Sequence, residues 1–200
     1  MVRGSDWNGV QIDLEALTAA DRPGLVAFAT ALRHRLPSGA EVSLAVGAST
    51  SAAGYRAHGY DLAGLAAAVD RVVLMAYDQH GPWGSPGPIG GLPWAHASAA
   101  ALLSAVPAAK LDLGIAGYGY LWKKGGSGGR TVSVARARSL AGDAARWNAD
   151  AGEWTAHLSG GRTLWWSDAR SLRARERLAT GLGLHGIALW RLGLADPLAR

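Results

Sequence analysis

Five short apolar runs of strand length, separated by segments of helical periodicity, constrain this chain more than any other feature. They cover residues 9–15, 41–47, 71–77, 111–118 and 186–193. Between the first two, Asp21-Arg22-Pro23 supplies an N-cap candidate and an early proline, and Leu25, Val26, Phe28, Ala29 and Leu32 carry an apolar helix face to about Leu36. Further helices are expected over 61–69, 94–106 and 168–180, the last capped by Ser167-Asp168, with Tyr55, His58 and Tyr60 in a loop. Strands that alternate with helices call for a parallel sheet covered by helices. The run 71–77 is almost continuously apolar, as a strand buried on both faces should be. A chain of 200 residues, 49% hydrophobic and 18% charged, is expected to form one domain with a real core.

From 121 to about 162 the rhythm fails. Lys123-Lys124-Gly125-Gly126-Ser127-Gly128-Gly129 reads as a flexible linker or loop tip, and no Gly-Lys-Ser/Thr follows to make it a phosphate cradle. A helix around 134–147 and a hairpin near 154–166 make this stretch a small insertion, expected to wall one side of a cleft. Gly181-Leu182-Gly183-Leu184-His185-Gly186 fits a dinucleotide-binding pattern, but it runs from helix into strand, the reverse of the order that aims a helix N-terminus at pyrophosphate.

Composition narrows the function classes. The chain has no cysteine, which excludes disulfides and thiolate chemistry, and its six histidines lack metal-ligand spacing. No apolar run reaches bilayer-spanning length, and the N-terminus has no signal-peptide pattern. The net charge of +5 suits an anionic partner, although the arginines after Asp168 read as a solvated helix face rather than a nucleic-acid surface. Nine tryptophans against one phenylalanine suit sugar stacking as well as core packing.

Val10, Ile12 and Leu14 alternate with Gln11, Asp13 and Glu15. An edge strand with a solvated polar face gives the same alternation. In a helix-covered parallel sheet, however, carboxylates at a strand's C-terminal end point into the site-forming face. Two of them placed that close are not expected to ionise freely together, which pushes one towards being a proton donor near neutral pH, a glycosidase-like arrangement. Met75-Ala76-Tyr77-Asp78 closes the third strand with another polar pair; the alternative is that Tyr77 caps the core while Asp78 starts a turn.

Residues 6–15 resemble the catalytic strand of glycoside hydrolase family 18, the chitinase-like family, whose pattern is Asp-Gly-x-Asp-x-Asp-x-Glu. Asp13 and Glu15 match its last two acids, and Asn8 and Gln11 replace the first two. Met75-Ala76-Tyr77-Asp78 resembles the family's Met-x-Tyr-Asp motif. Pro86-Gly87-Pro88-Ile89, Tyr118-Gly119-Tyr120 and Trp190-Arg191-Leu192-Gly193 look most like its bacterial branch, which includes spore-wall glycosidases and glycosidase domains fused to glycosyltransferases.

The resemblance implies an α/β fold: an incomplete TIM (β/α)8 barrel of about five of eight units, from the catalytic fourth strand to the eighth, with the insertion before the last helix and strand. It implies that Glu15 is the general acid, that Asp13 and Tyr77 orient the substrate's acetamido group, and that Gln11, Met75, Asp78, Tyr118 and Trp190 contact substrate. The expected activity is substrate-assisted retaining hydrolysis of β-linked N-acetylglucosamine-containing polysaccharide, with no cofactor or metal and a cell-envelope or extracellular location. The expected partners are that glycan and the remaining barrel half, supplied by a longer parent protein or a separate piece. A non-catalytic glycan-binding fragment is the alternative. A nucleic-acid module is a second one, which predicts steeply salt-dependent binding.

Overall fold

In this computed structural model, residues 7–125 and 128–197 are described. Asp6 of the first motif, and Gly126 and Ser127 of the expected linker, lie outside the described residues.

The elements in chain order are β1 (Gly9–Ile12), α1 (Arg22–Arg35), β2 (Glu41–Gly47), α2 (Ala52–Ala57), α3 (Leu62–Ala68), β3 (Arg71–Met75), α4 (Leu92–Leu103) and β4 (Leu111–Ala116). There follow β5 (Gly119–Trp122), β6 (Arg130–Val132), α5 (Val134–Ala141), β7 (Arg146–Asn148), β8 (Glu153–Leu158), β9 (Arg162–Trp166), α6 (Ala169–Gly181) and β10 (Gly186–Trp190). Five strands form a parallel sheet in the order β1-β2-β3-β4-β10, with β1 and β10 at its edges, so it is a partial, unclosed barrel sheet. A second, antiparallel sheet has the order β6-β5-β9-β8-β7. No described helix is long and apolar enough to cross a membrane.

The chain divides into two compact units. One takes in the described residues up to Met75, with Ala97–Leu113 and Leu182–Gly186. Its strands pair in parallel register, Ile12 opposite Leu44, Val46 opposite Leu74 and Leu74 opposite Leu113. These residues are buried, as in-register apolar residues on a helix-covered sheet must be. Thr18 and Asp21 form a capping box just ahead of α1, whose Leu25 and Ala29 are buried one turn apart.

The other unit comprises Ala76–His96, Gly114–Gly181 and Ile187 onward. Here α5 packs on the antiparallel sheet, with Val134 and Ala137 against Leu121, Leu164 and Trp166. Ile89, Ala116, Tyr118, Tyr120 and Trp122 make a second apolar cluster.

Several boundaries depart from the sequence reading. β1 stops at Ile12 rather than continuing to Glu15, and the chain turns at Ala16, whose φ is +57°. β3 ends at Met75 and β4 at Ala116, each two residues early. Residues 52–57, expected in a loop, form the short helix α2, because Ser51 caps it by accepting from the Gly54 N–H at 3.1 Å. The helix expected over 134–147 ends at Ala141. Gly142, at φ +46°, stops it, and Arg146–Asn148 pairs antiparallel to β8 instead.

Candidate functional site

In the first unit, the candidate residues gather where the chain leaves the C-terminal end of β1. Asp13 and Glu15 are exposed on this segment, and Gln11, still on the strand, accepts from the Ser43 hydroxyl at 3.4 Å. Glu15 lines a cavity of about 270 Å3 together with Gly47, His58, Tyr60 and Met75. Tyr60 is 4% exposed, and its hydroxyl accepts from the Gly47 N–H at 3.3 Å. Burial pushes the Tyr60 phenol above its ordinary value and the Gly47 N–H pulls against this, while the charges of Glu15 and Asp13 add to the rise. Both carboxylates therefore act on the same hydroxyl. Tyr55 lies edge-on to Tyr60 at 6.4 Å and donates its own hydroxyl to the Ser98 carbonyl.

In the second unit, Tyr77 and Asp78 follow β3. Tyr77 packs half-buried against the Ile89–Tyr118–Tyr120 cluster. Asp78 has φ +61°, a backbone conformation few non-glycine residues adopt, and aspartate tolerates it better than most. Its Oδ1 accepts from Tyr118 at 2.5 Å and from Tyr120 at 2.7 Å. Burial, the Asp78 charge and the hydrogen bonds to it push both phenols up, so they remain donors.

Trp83 stands edge-on to Tyr120 at 6.5 Å and is 71% exposed. Its turn is fixed by the Gly84 N–H on the Gly81 carbonyl, which also accepts from the Trp122 indole at 3.1 Å. Trp190, 53% exposed, ends β10; its carbonyl accepts from the Gly117 N–H at 2.6 Å, and the Trp190–Arg191 peptide is cis.

Of the residues selected from the sequence, Glu15 and Met75 thus share a cavity, Asp13 acts with Glu15 on Tyr60, and Asp78 and Tyr118 share a hydrogen bond. Two contributors were missed. Tyr120 was visible only as the third residue of Tyr-Gly-Tyr, a spacing of two that puts it beside Tyr118. Tyr60 carried no local signal, because its partners lie on other elements.

The family model described as glycosyl hydrolases family 18 matches residues 1–195. The cortical fragment-lytic enzyme of Bacillus subtilis (strain 168) is 32% identical over 96% of this chain and 48% of its own length. The chain spans about half the length of the curated relatives it matches. Among solved structures, the chitinase from Chromobacterium violaceum ATCC 12472 superposes with a TM-score of 0.88 at 30% identity, over 98% of this chain and 65% of that one. The Bacillus cereus spore cortex-lytic enzyme SleL superposes with a TM-score of 0.84 at 27% identity, over 94% of this chain and 46% of that one. The fold is that of these α/β enzymes, and the chain belongs to family 18 of the glycosyl hydrolases.

Proposed function

We propose that this chain is the catalytic part of a retaining glycosidase that cuts β-linked N-acetylglucosamine-containing glycan, with the substrate's own acetamido group as nucleophile. Such enzymes are exceptions to the two-carboxylate retaining scheme. Glu15 gives its proton to the glycosidic oxygen as the bond from C1 to that oxygen breaks. The acetamido oxygen bonds to C1, forming a cationic oxazolinium ring. Water then attacks C1 and passes a proton to Glu15, and the ring opens to return the acetamido group. Asp13 and Tyr77 have the role of orienting that group and stabilising the charge on it. Gln11, Met75, Asp78, Tyr118 and Trp190 contact the sugar, Trp190 as the platform beneath it, and Trp83 offers a second stacking surface.

The observation that carries this reading is the pair Asp13 and Glu15. Both stay accessible on the segment leaving the C-terminal end of β1, the end from which barrel enzymes draw their catalytic groups. Gln11 favours a second reading, glycan binding without turnover, since it keeps a hydrogen bond where the family pattern has a charge.

Release of reducing ends from N-acetylglucosamine oligomers separates the two. Glu15→Gln is expected to lower the rate by roughly 10²–10⁴-fold, the worth of a positioned general acid, while sparing binding. Full activity in that variant sinks the assignment. Binding without turnover by the unaltered chain, with turnover appearing in Gln11→Asp, favours the second reading.

A further inference from the structure

One ion pair of the second unit lies wholly inside it. Glu153, at the start of β8, is 0% exposed, and Arg175, on α6, is 1% exposed. Arg175 Nη2 donates to Glu153 Oε1 at 2.7 Å. An isolated buried pair adds little net stability, because desolvation of both charges opposes their attraction. This one also satisfies backbone groups, three of them in one loop. The Ile89 N–H donates to Glu153 Oε2 at 2.7 Å and the Gly90 N–H to Oε1 at 2.9 Å. Arg175 donates in turn to the Gly90 carbonyl, and to the Gly152 and Ser171 carbonyls at 2.9 and 3.1 Å. The Ser167 hydroxyl completes the shell of Glu153 at 3.1 Å.

The loop so held touches the segment that carries Tyr77 and Asp78. The Ile89 carbonyl accepts from the Gln79 N–H at 2.8 Å, and the Gly91 N–H donates to the Gln79 side-chain oxygen at 2.9 Å. Gly90, gripped at both its N–H and its carbonyl, lies so close to residues 76–77 that a Cβ would collide with the Ala76 carbonyl and crowd Tyr77 Cα at 3.3 Å. Residues 76–79 are therefore braced by a loop whose own place is set by two buried charges.

We infer that Glu153 and Arg175 are positioning residues, which through Ile89, Gly90 and Gln79 hold Asp78 in its left-handed conformation and aim Tyr77 and Asp78. The inference rests on the reading of Tyr77 and Asp78 as substrate contacts. Neither Glu153 nor Arg175 touches substrate. Each works by leaving the loop no alternative set of hydrogen bonds.

The test is NMR of the chain labelled at tyrosine Cζ, in the unaltered protein and in Glu153→Gln. The five tyrosines divide into reporters, Tyr77, Tyr118 and Tyr120, and controls, Tyr55 and Tyr60, which belong to the other unit. Positioning predicts that the three reporter signals move and the two controls stay. It also predicts that kcat/KM on N-acetylglucosamine oligomers falls by up to about a hundredfold, the scale of a 1 Å misplacement. Unmoved reporters with a lowered Tm overturn the inference, because the pair then only stabilises. Moved reporters with unchanged glycan affinity and rate leave the positioning in place and instead refute Tyr77 and Asp78 as substrate contacts. If Glu153→Gln does not fold, Ser167→Ala removes one hydrogen bond of the same shell. It is expected to move the same three signals by less, and no movement overturns the inference.

Discussion

Asp78 collects two phenols on one carboxylate oxygen, and the Tyr118 and Tyr120 rings that bring them are 3% and 5% exposed. A hydrogen bond to a charged acceptor away from water is worth more than one at the surface, so Tyr118→Phe is expected to cost about 2 kcal/mol in urea unfolding. The same residues set an alkaline limit. Burial and the Asp78 charge raise both phenols above the ordinary 10.0 in the fold. The unfolded chain therefore loses these protons first. The stabilisation they carry is complete below about pH 10 and declines as the pH rises further. Ultraviolet titration of the native chain is expected to leave Tyr118 and Tyr120 un-ionised until it unfolds. Ionisation of all five tyrosines near pH 10 in the folded protein contradicts this.

Two aspartates and one arginine meet at the start of α6. Asp168 accepts from the Arg170 and Ser171 N–H groups at 2.8 and 3.2 Å, and Asp196 accepts from the Ala169 N–H at 3.0 Å. Arg138, on α5, bridges both carboxylates. Burial pushes the Asp196 carboxyl up, but Arg138 and the Ala169 N–H outweigh this and hold it below the ordinary value. A depressed carboxyl contributes stability above its unfolded value, near pH 4, and loses it as the pH falls through the folded one. Asp196→Asn is therefore expected to cost about 1 kcal/mol at pH 7, the worth of a helix cap, and progressively less towards pH 3 in urea titrations. An equal cost at both pH values removes the charge from the explanation.

The same helix separates what was legible in the sequence from what was not. Asp168 as its cap, and the five parallel strands, followed from local pattern. Asp196 did not, because it reaches α6 from 27 residues away. A three-residue strand and a six-residue helix are too short to show a period, so local pattern points to a helix end at β7 and a loop at α2. In the candidate site, Asp13, Glu15, Tyr77, Asp78 and Tyr118 were legible through motifs or strand ends. Tyr120 and the pair of Glu153 and Arg175 draw their roles from partners distant in sequence, to which no local pattern points.

For the whole molecule, family membership and the partial barrel sheet leave the stereochemistry of the reaction as the sharpest consequence of the proposal. One carboxyl protonating the leaving oxygen while the other activates a water directly would invert the anomeric centre, whereas displacement by the acetamido oxygen and then by water retains it. Time-resolved proton NMR of the first sugar released from an N-acetylglucosamine tetramer decides between these outcomes. The account predicts that the new reducing end appears first as the β-anomer and only later equilibrates. An α-anomer formed first, or no reducing end released at all, contradicts it.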